Sequence, residues 1–314
     1  MLEKNKIIAE RNKKWERNSY IPKWVDLDNV DLDQFFTKPE IAKKCHDNFI
    51  KLLQKDGIDL SQYAFIEPSA GNGAFFNLLN KRNRIGLDLM PMCDNLLQQD
   101  FLSWQPQKGK YISIGNPPFG YRAWLALAFL QHASLFSDYI GMILPMAFQS
   151  DGKGSPKNRV NLMELVHSEI LPKGSFVKPD GSTANVNALW QIWKKTDNKK
   201  IVAKKTCRNW LDIFTVDFRK ERLCGMNKMA NANAFLQRTY FGCRPPKLVS
   251  SFDYVRYTCG YGLIFKKNAA ELKLLLDTTD WNIYSNLAAH NCRHISMYHI
   301  EQRLIDEGFS DDRL

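Results

Sequence analysis

Phe65-Ile66-Glu67-Pro68-Ser69-Ala70-Gly71-Asn72-Gly73-Ala74-Phe75 is the stretch on which the fold turns. An apolar, strand-like run enters a loop of small residues with two glycines and leaves into a second apolar run. Gly71 and Gly73 let the backbone turn sharply and approach a ligand without a Cβ in the way. A dinucleotide-binding fingerprint would want a third glycine, and position 76 holds Phe76. Outward from this loop, short apolar strands alternate with helices. Strands are expected at 63–67, 84–88, 111–115, 139–144, 165–171 and 188–193, and helices at 38–54, 74–80 and 121–136. That alternation predicts an α/β fold with a doubly wound, mostly parallel sheet.

Three further motifs stand at strand ends in chain order. Ile85-Gly86-Leu87-Asp88 ends in an acid 21 positions after Glu67, near the ~20-residue interval at which a carboxylate reaches a nucleoside's ribose hydroxyls. Alone, Asp88 would read as a solvated strand-end aspartate. Gln99-Asp100-Phe101 follows, pairing an acid with an aromatic. Asn116-Pro117-Pro118-Phe119-Gly120 comes directly after the strand YISIG. Its two prolines fix φ, remove backbone donors and hold the preceding residue extended. The Asn116 side chain is thereby presented at a strand's carboxyl end, where open α/β sheets bind ligands. Asn-Pro pairs also mark plain turns. The order glycine loop, acidic strand end, Asn-Pro-Pro-Phe is what separates this one from a turn.

With these residues in place, the segment from about 33 to 195 resembles the S-adenosylmethionine-dependent amino-group methyltransferases. Glu67 through Gly73 is similar to their D/E-x-x-x-G-x-G motif, and Asn116 through Phe119 to their D/N/S-P-P-F/Y/W signature. Phe35-Phe36-Thr37-Lys38-Pro39-Glu40-Ile41-Ala42 resembles the F-x-T-P-x-x-I/V-A element of the family, with Lys38 as a one-residue variation. The placement of that element before the glycine loop, with a basic segment last, resembles the gamma-type N6-adenine DNA methyltransferases of restriction-modification systems. The resemblance implies a Rossmann-like methyltransferase sheet with a smaller C-terminal recognition domain. It implies S-adenosyl-L-methionine as cofactor, S-adenosyl-L-homocysteine as product, and double-stranded DNA as partner. Cofactor contacts are implied for Phe36, Thr37, Glu67, Ser69, Ala70, Gly71, Gly73, Asp88, Leu89, Asp100, Phe101 and Asn116. Asn116, Pro117, Pro118 and Phe119 would hold the target base. The chemistry explains the residue types. An exocyclic amine is a poor nucleophile because its lone pair is delocalised into the ring. Two acceptors aimed at its N–H bonds, the Asn116 side-chain oxygen and the Pro117 carbonyl, would localise that pair, and Phe119 would stack on a base flipped out of the duplex. Asn at position 116 favours adenine within the family. RNA adenine-N6, DNA cytosine-N4 and protein glutamine methylation use related motifs and remain alternatives.

Three domains are expected: a basic arm over 1–30, a catalytic domain over 31–195 and a target-recognition domain over 196–314. The formal net charge is +11, and between Lys194 and Lys267 stand 17 Lys and Arg against 5 Asp and Glu. The rest of the chain holds 27 basic and 28 acidic residues. One segment therefore carries the excess, the mark of a polyanion-binding face or of a lysine-rich solubilising surface. Aromatic and basic residues interleave there: Trp210, Phe214, Phe218, Arg219, Lys220, Arg222, Tyr240, Phe241, Arg244, Tyr254, Arg256 and Tyr257. A helical tail is expected from Asn268, including 272–276 and 300–305.

A hydrophobic content of 44% allows a large core, while no apolar run approaches the ~18 residues of a membrane span. The start, MLEKNKIIAERNKKWERN over 1–18, lacks the apolar stretch of a signal peptide. Seven scattered cysteines without a CxxC pair fit reduced thiols. A cytoplasmic monomer without membrane contact is the expectation, with a cognate restriction endonuclease acting separately. His290, Cys292, His294 and His299 match no standard zinc spacing, so no metal site is expected. Cys93 has no histidine arranged near it in sequence to make it a nucleophile. The loop 150–159 reads as a surface loop or as one that closes over DNA.

Overall fold

The computed structural model describes residues 2–30, 35–150, 154–197, 205–217, 230–242, 245–250, 259–288 and 291–313. The chain divides into two compact units, Met1–Gln149 with Ser155–Lys200 and Ser150–Gly154 with Ile201–Leu314. No helix among the described residues is long and apolar enough to cross a membrane.

In the first unit, helix α1 (Leu2–Trp15) is followed by strand β1 (Phe36–Thr37) and helix α2 (Pro39–Lys55). Pro39 sits in the first turn of α2, where its missing N–H costs nothing. The apolar positions of α2 at helical spacing, Ala42, Cys45, Phe49 and Leu53, are its buried face. Then come β2 (Tyr63–Glu67), β3 (Arg84–Asp88), β4 (Leu97–Gln98), β5 (Lys110–Gly115), helix α3 (Trp124–Ser134) and β6 (Ser137–Pro145). β7 (Met163–Ile170), β8 (Phe176–Val177), β9 (Thr183–Ala184) and β10 (Ala188–Lys195) complete the unit.

Seven of these strands form one sheet in the order β4-β3-β2-β5-β6-β10-β7. The pairs from β4 to β6 are parallel, and β10 runs antiparallel to both β6 and β7. The doubly wound α/β expectation is met, with one reversed strand inserted near an edge. β10 is buried over six consecutive residues because it lies between two neighbours and under packed side chains. Trp190 on β10 stacks on Phe75 of the glycine loop at 6.2 Å and meets Phe49 of α2 edge-on at 6.1 Å. This cluster fixes the loop and α2 against the sheet.

The helix expected over 74–80 is not formed: Phe76–Leu78 make a single 3-10 turn. The chain must return to β3 at Arg84, and Asn80 accepts a hydrogen bond from the Arg82 N–H, closing a turn instead of extending a helix. The helix expected over 121–136 begins only at Trp124, because Arg122 and Ala123 are left-handed, with φ of 57° and 62°. The three-stranded sheet β1-β8-β9 lies outside the expectations. Two-residue strands carry no periodicity to read.

In the second unit, β11 (Leu211–Asp217), β12 (Ala234–Gln237), β13 (Thr239–Phe241), β14 (Cys259–Phe265), β15 (Asn286–Leu287) and β16 (Cys292–His294) form two small antiparallel sheets. Helices Ala269–Thr278 and Met297–Asp306 cover them, as the helical tail predicted. Their core holds Leu236, Leu263, Leu272, Trp281, Ile300 and Leu304. Several aromatics of the interleaved segment belong to cores: Tyr240 is buried, Phe214 packs with Val216 and Phe235, and Trp210 meets Phe309 at 5.1 Å. Phe241 is exposed. Phe218, Arg219, Lys220, Arg222, Arg244, Tyr254, Arg256 and Tyr257 lie outside the described residues, as do 151–153 of the loop 150–159.

Candidate active site

A cavity of about 950 Å³, mouth included, opens at the carboxyl ends of β2, β3 and β5 in the first unit. Its wall includes Phe36, Thr37, Glu67, Ser69, Ala70, Gly71, Asp88, Leu89, Asp100, Phe101, Asn116, Pro117, Pro118 and Phe119. Fourteen of the fifteen residues expected at the site therefore meet around one space. Gly73 does not line it. A Cβ on Gly73 would stand 2.6 Å from Cys93 Sγ and 2.8 Å from Asn77 Nδ2, and its φ is +81°. Its glycine serves turn geometry and packing behind the loop.

Asn116 is held at the end of β5 as Pro117 and Pro118 require. Its Nδ2 donates to the Phe35 carbonyl at 2.9 Å, which sets which way the amide faces. Its Oδ1 is buried and has no hydrogen-bond partner among the described residues. A buried acceptor left open costs free energy unless a ligand's donor meets it. Thr37 Oγ1 and Glu67 Oε2 are in the same condition. Phe119, also in the cavity wall, meets the buried Phe176 of β8 edge-on at 6.5 Å. β8 also pairs with β1, Phe36 opposite Val177 and Thr37 opposite Phe176. The short sheet thus seats both Phe36 and Phe119. Gly71 lies against Phe36: a Cβ there would meet the Phe36 ring at 3.1 Å.

The acids are bound into the framework. Asp88 Oδ2 accepts the Gly71 N–H at 2.7 Å and Oδ1 the Met90 N–H at 2.7 Å, so this carboxylate ties the glycine loop to β3. Burial raises its pKa, and the Met90 and Gly71 amides act against that. Glu67 is more deeply buried. Burial pushes its pKa well above the ordinary carboxylate range, the Phe76 and Phe75 amides oppose the shift, and the Asp88 charge adds to it. Asp100 Oδ1 accepts from the Leu102 N–H at 3.2 Å, capping a 3-10 turn, and Oδ2 accepts from Trp15 Nε1 at 3.1 Å. Phe101 packs on Phe129 and His132, with centroids at 5.2 and 4.9 Å.

Trp15 and Arg11 were not expected at the site, since the first thirty residues read as a basic arm. Both are 2% exposed and line the cavity. The Arg11 guanidinium stands 4.5 Å from the Trp15 ring centre and donates to the Asn12 side chain and the Val30 carbonyl. Trp15 also meets Trp124 of α3 edge-on at 5.8 Å. The available signal was the lone tryptophan of a charged helix, four residues after Arg11 and hence on its face.

Of the residues set aside in sequence, His290 lies outside the described residues, and Cys93, Cys292, His294 and His299 do not line the cavity. His299 caps its own helix through the Ser296 N–H, and His294 Nδ1 bonds Thr239 Oγ1. Among the described residues no cluster of His, Cys, Asp or Glu could hold a metal. Five described cysteines are free thiols, and burial, with the Glu67 and Asp94 charges, raises the pKa of Cys93.

No family model matches the chain, and no curated protein matches it. Solved structures resemble it at low identity. A Pyrococcus horikoshii protein described as an RNA methyltransferase is 16% identical, with a TM-score of 0.39 over 60% of this chain and 98% of its own. Magnesium protoporphyrin IX methyltransferase of Synechocystis PCC 6803, solved with bound SAM, is 12% identical, with a TM-score of 0.34 over 62% of this chain and 96% of its own. A modification subunit assigned to a type I restriction enzyme of Vibrio vulnificus YJ016 is 12% identical, with a TM-score of 0.39 over 81% of this chain and 61% of its own. Identity and TM-score are low in all three, and the reading of the cavity rests on its own residues.

Proposed function

We propose that this protein is an S-adenosyl-L-methionine-dependent methyltransferase acting on the N6 amine of adenine in DNA, the modification enzyme of a restriction-modification system. The observation that carries the reading is the buried Oδ1 of Asn116, a residue of the cavity wall, which has no hydrogen-bond partner among the described residues while Nδ2 is fixed on Phe35. A fixed, dry acceptor is what an aromatic amine needs to become nucleophilic. It takes an N–H of the amine in a hydrogen bond that strengthens as positive charge develops on nitrogen. The Pro117 carbonyl is the second acceptor of the proposed pair, and Phe119 supplies an aromatic face for the base.

The cavity suits the cofactor on its own chemistry. Thr37 Oγ1 and Glu67 Oε2 are buried and have no hydrogen-bond partner among the described residues, and Gly71, its N–H held by Asp88, puts no Cβ into the cavity wall beside Phe36. When bound, the cofactor supplies an electrophilic methyl group and leaves as S-adenosyl-L-homocysteine. Phe36, Thr37, Glu67, Ser69, Ala70, Gly71, Asp88, Leu89, Asp100 and Phe101 would hold it. Residues 196–314 would bind double-stranded DNA, with Lys and Arg on phosphates and a few side chains on base edges.

The test is label transfer from radiolabelled S-adenosyl-L-methionine to duplex DNA and to total RNA in parallel, followed by nucleoside analysis. The expected result is N6-methyladenine from DNA. Label in RNA alone would reassign the recognition segment, and label in neither would end the nucleic-acid reading. Asn116→Ala should lower transfer by about two to three orders of magnitude, with cofactor affinity by calorimetry largely kept. Near-normal transfer by that variant would remove Asn116 from the catalytic role.

A further inference from the structure

The chain from Phe119 to Leu125 leaves the cavity wall and rejoins it. Phe119 and Leu125 both line the cavity, whereas Tyr121 is 69% exposed and Arg122 is also exposed. The excursion is held by backbone bonds from Ala123 N–H to the Gly120 carbonyl at 3.1 Å and from Ala126 N–H to the Phe119 carbonyl at 3.2 Å. Arg122 and Ala123 are both left-handed, at φ of 57° and 62°. A non-glycine residue held there is strained, and such strain gathers where a side chain must be presented in one direction. Here the outcome is that Ala123 is buried while the two side chains before it face solvent.

A second aromatic from a distant part of the chain stands against this excursion. Trp24 is 56% exposed, and its ring meets Tyr121 edge-on at 6.3 Å and 83°. The Arg122 guanidinium carbon lies 5.1 Å from the Tyr121 ring centre. Lys23, next to Trp24, is exposed. The nearby carboxylates are engaged: Asp26 accepts from the Asp28 N–H and Asn29 Nδ2, and Asp28 from Asn12 Nδ2. The rim of the cavity therefore carries two perpendicular aromatic faces in water beside two cations. Of the cavity's own aromatics, Trp15, Phe75, Phe101 and Phe129 are buried and Phe35, Phe36 and Phe119 are half-buried, whereas Trp24 and Tyr121 are exposed.

We propose that Trp24, Tyr121 and Arg122 form a stacking platform for an unpaired base of the DNA strand beside the target adenine, with Arg122 and Lys23 on its phosphates. The platform rests on the DNA methyltransferase reading and extends it to the neighbouring nucleotide. Extruding one base breaks stacking with the next and leaves a π-face to be satisfied. Aromatic side chains accept any base on that face, and nearby cations offset the phosphates. A peptide partner would gain little from two perpendicular faces with a guanidinium beside one of them, while a base with its phosphate uses all three groups.

The test is fluorescence anisotropy with the full chain and two labelled probes of equal charge, a 12-nucleotide oligo(dT) and a 12-unit abasic strand. The wild type should prefer oligo(dT) by about tenfold or more. Trp24→Ala/Tyr121→Ala should bind both probes alike, and Trp24→Phe/Tyr121→Phe should restore most of the preference, which a loss of fold would not allow. Arg122→Ala should weaken both probes and flatten the salt dependence. Equal binding of the two probes by the wild type, or a preference kept by the double alanine variant, would overturn the platform. Tighter binding of 12-nucleotide oligo(rU) than oligo(dT), lost in the same variant, would overturn DNA as its occupant. Label transfer to duplex DNA by the wild type separates the two levels. Transfer without the probe preference sinks the platform alone, and no transfer to DNA sinks the function on which it rests.

Discussion

Glu67 is a carboxylate placed out of reach of water, at the end of the strand that enters the glycine loop. Burial raises its pKa above the ordinary value of 4.5, and that of Asp88 above 3.8. In the native state each holds its proton to a higher pH than in the unfolded chain. Their stabilising contribution is therefore complete below the unfolded values and is lost as pH rises through the native ones. Glu67→Gln removes one of the two. Between pH ~4.5 and 7 the melting temperature of the wild type should fall relative to that of Glu67→Gln, read by thermal denaturation at a series of pH values. Parallel profiles would mean that Glu67 titrates as an ordinary surface acid. Gly73 carries a different lesson at this scale. Its place in the glycine motif is plain in the sequence, yet its role is to lie against Cys93 and Asn77, behind the cavity wall. Only neighbours brought in by the fold could show that.

Helix α1 is mostly charged and exposed, and its described buried side chains are Arg11, Asn12 and Trp15. Composition therefore reads it as a solvated arm. Its attachment is polar and local: Trp15 Nε1 to Asp100, Asn12 Nδ2 to the Leu27 carbonyl and Arg11 to the Val30 carbonyl. Removing the indole N–H should be felt, because Asp100 is buried and, among the described residues, its side chain would keep only the Leu102 amide as a donor. Trp15→Phe removes that N–H and part of a buried ring, and should lower stability by at least about 1.5 kcal/mol from the lost hydrogen bond and the cavity left behind, measured by urea denaturation. A change within about 0.5 kcal/mol, the spread of ordinary surface substitutions, would mean that the contact contributes nothing. The short sheet β1-β8-β9 matters in the same way. Two-residue strands leave no pattern in sequence, and the pairing of Thr37 with Phe176 is what seats Phe119 beside the cavity.

Across the whole molecule, charge is the property that composition reports most directly. Seventeen Lys and Arg between Lys194 and Lys267 supply essentially all of the net +11. If that segment lies along a DNA backbone, binding releases counterions and must weaken with salt. For about six phosphates neutralised, affinity for a random duplex should fall about 10³-fold between about 50 and 200 mM salt, read by anisotropy across a salt series. A flat profile would return the lysines to the role of a solubilising surface.

The order of motifs was legible because each depends on local backbone chemistry. Two glycines allow a tight loop, two prolines hold Asn116 extended, and apolar runs between turns make the strands β2, β3, β5, β6, β7 and β10. Local rules also overreached, giving a helix over 74–80 where the return to β3 leaves room for one 3-10 turn. The doubly wound sheet and most of the residues around its cavity could be read from the chain alone. It took the folded chain to show that the Asn116 oxygen has no partner among the described residues, that Asp88 and Asp100 are already tied to Gly71 and Trp15, and that Trp24 meets Tyr121. Those facts depend on which distant groups share one low-dielectric space, and periodicity along a chain carries no record of that.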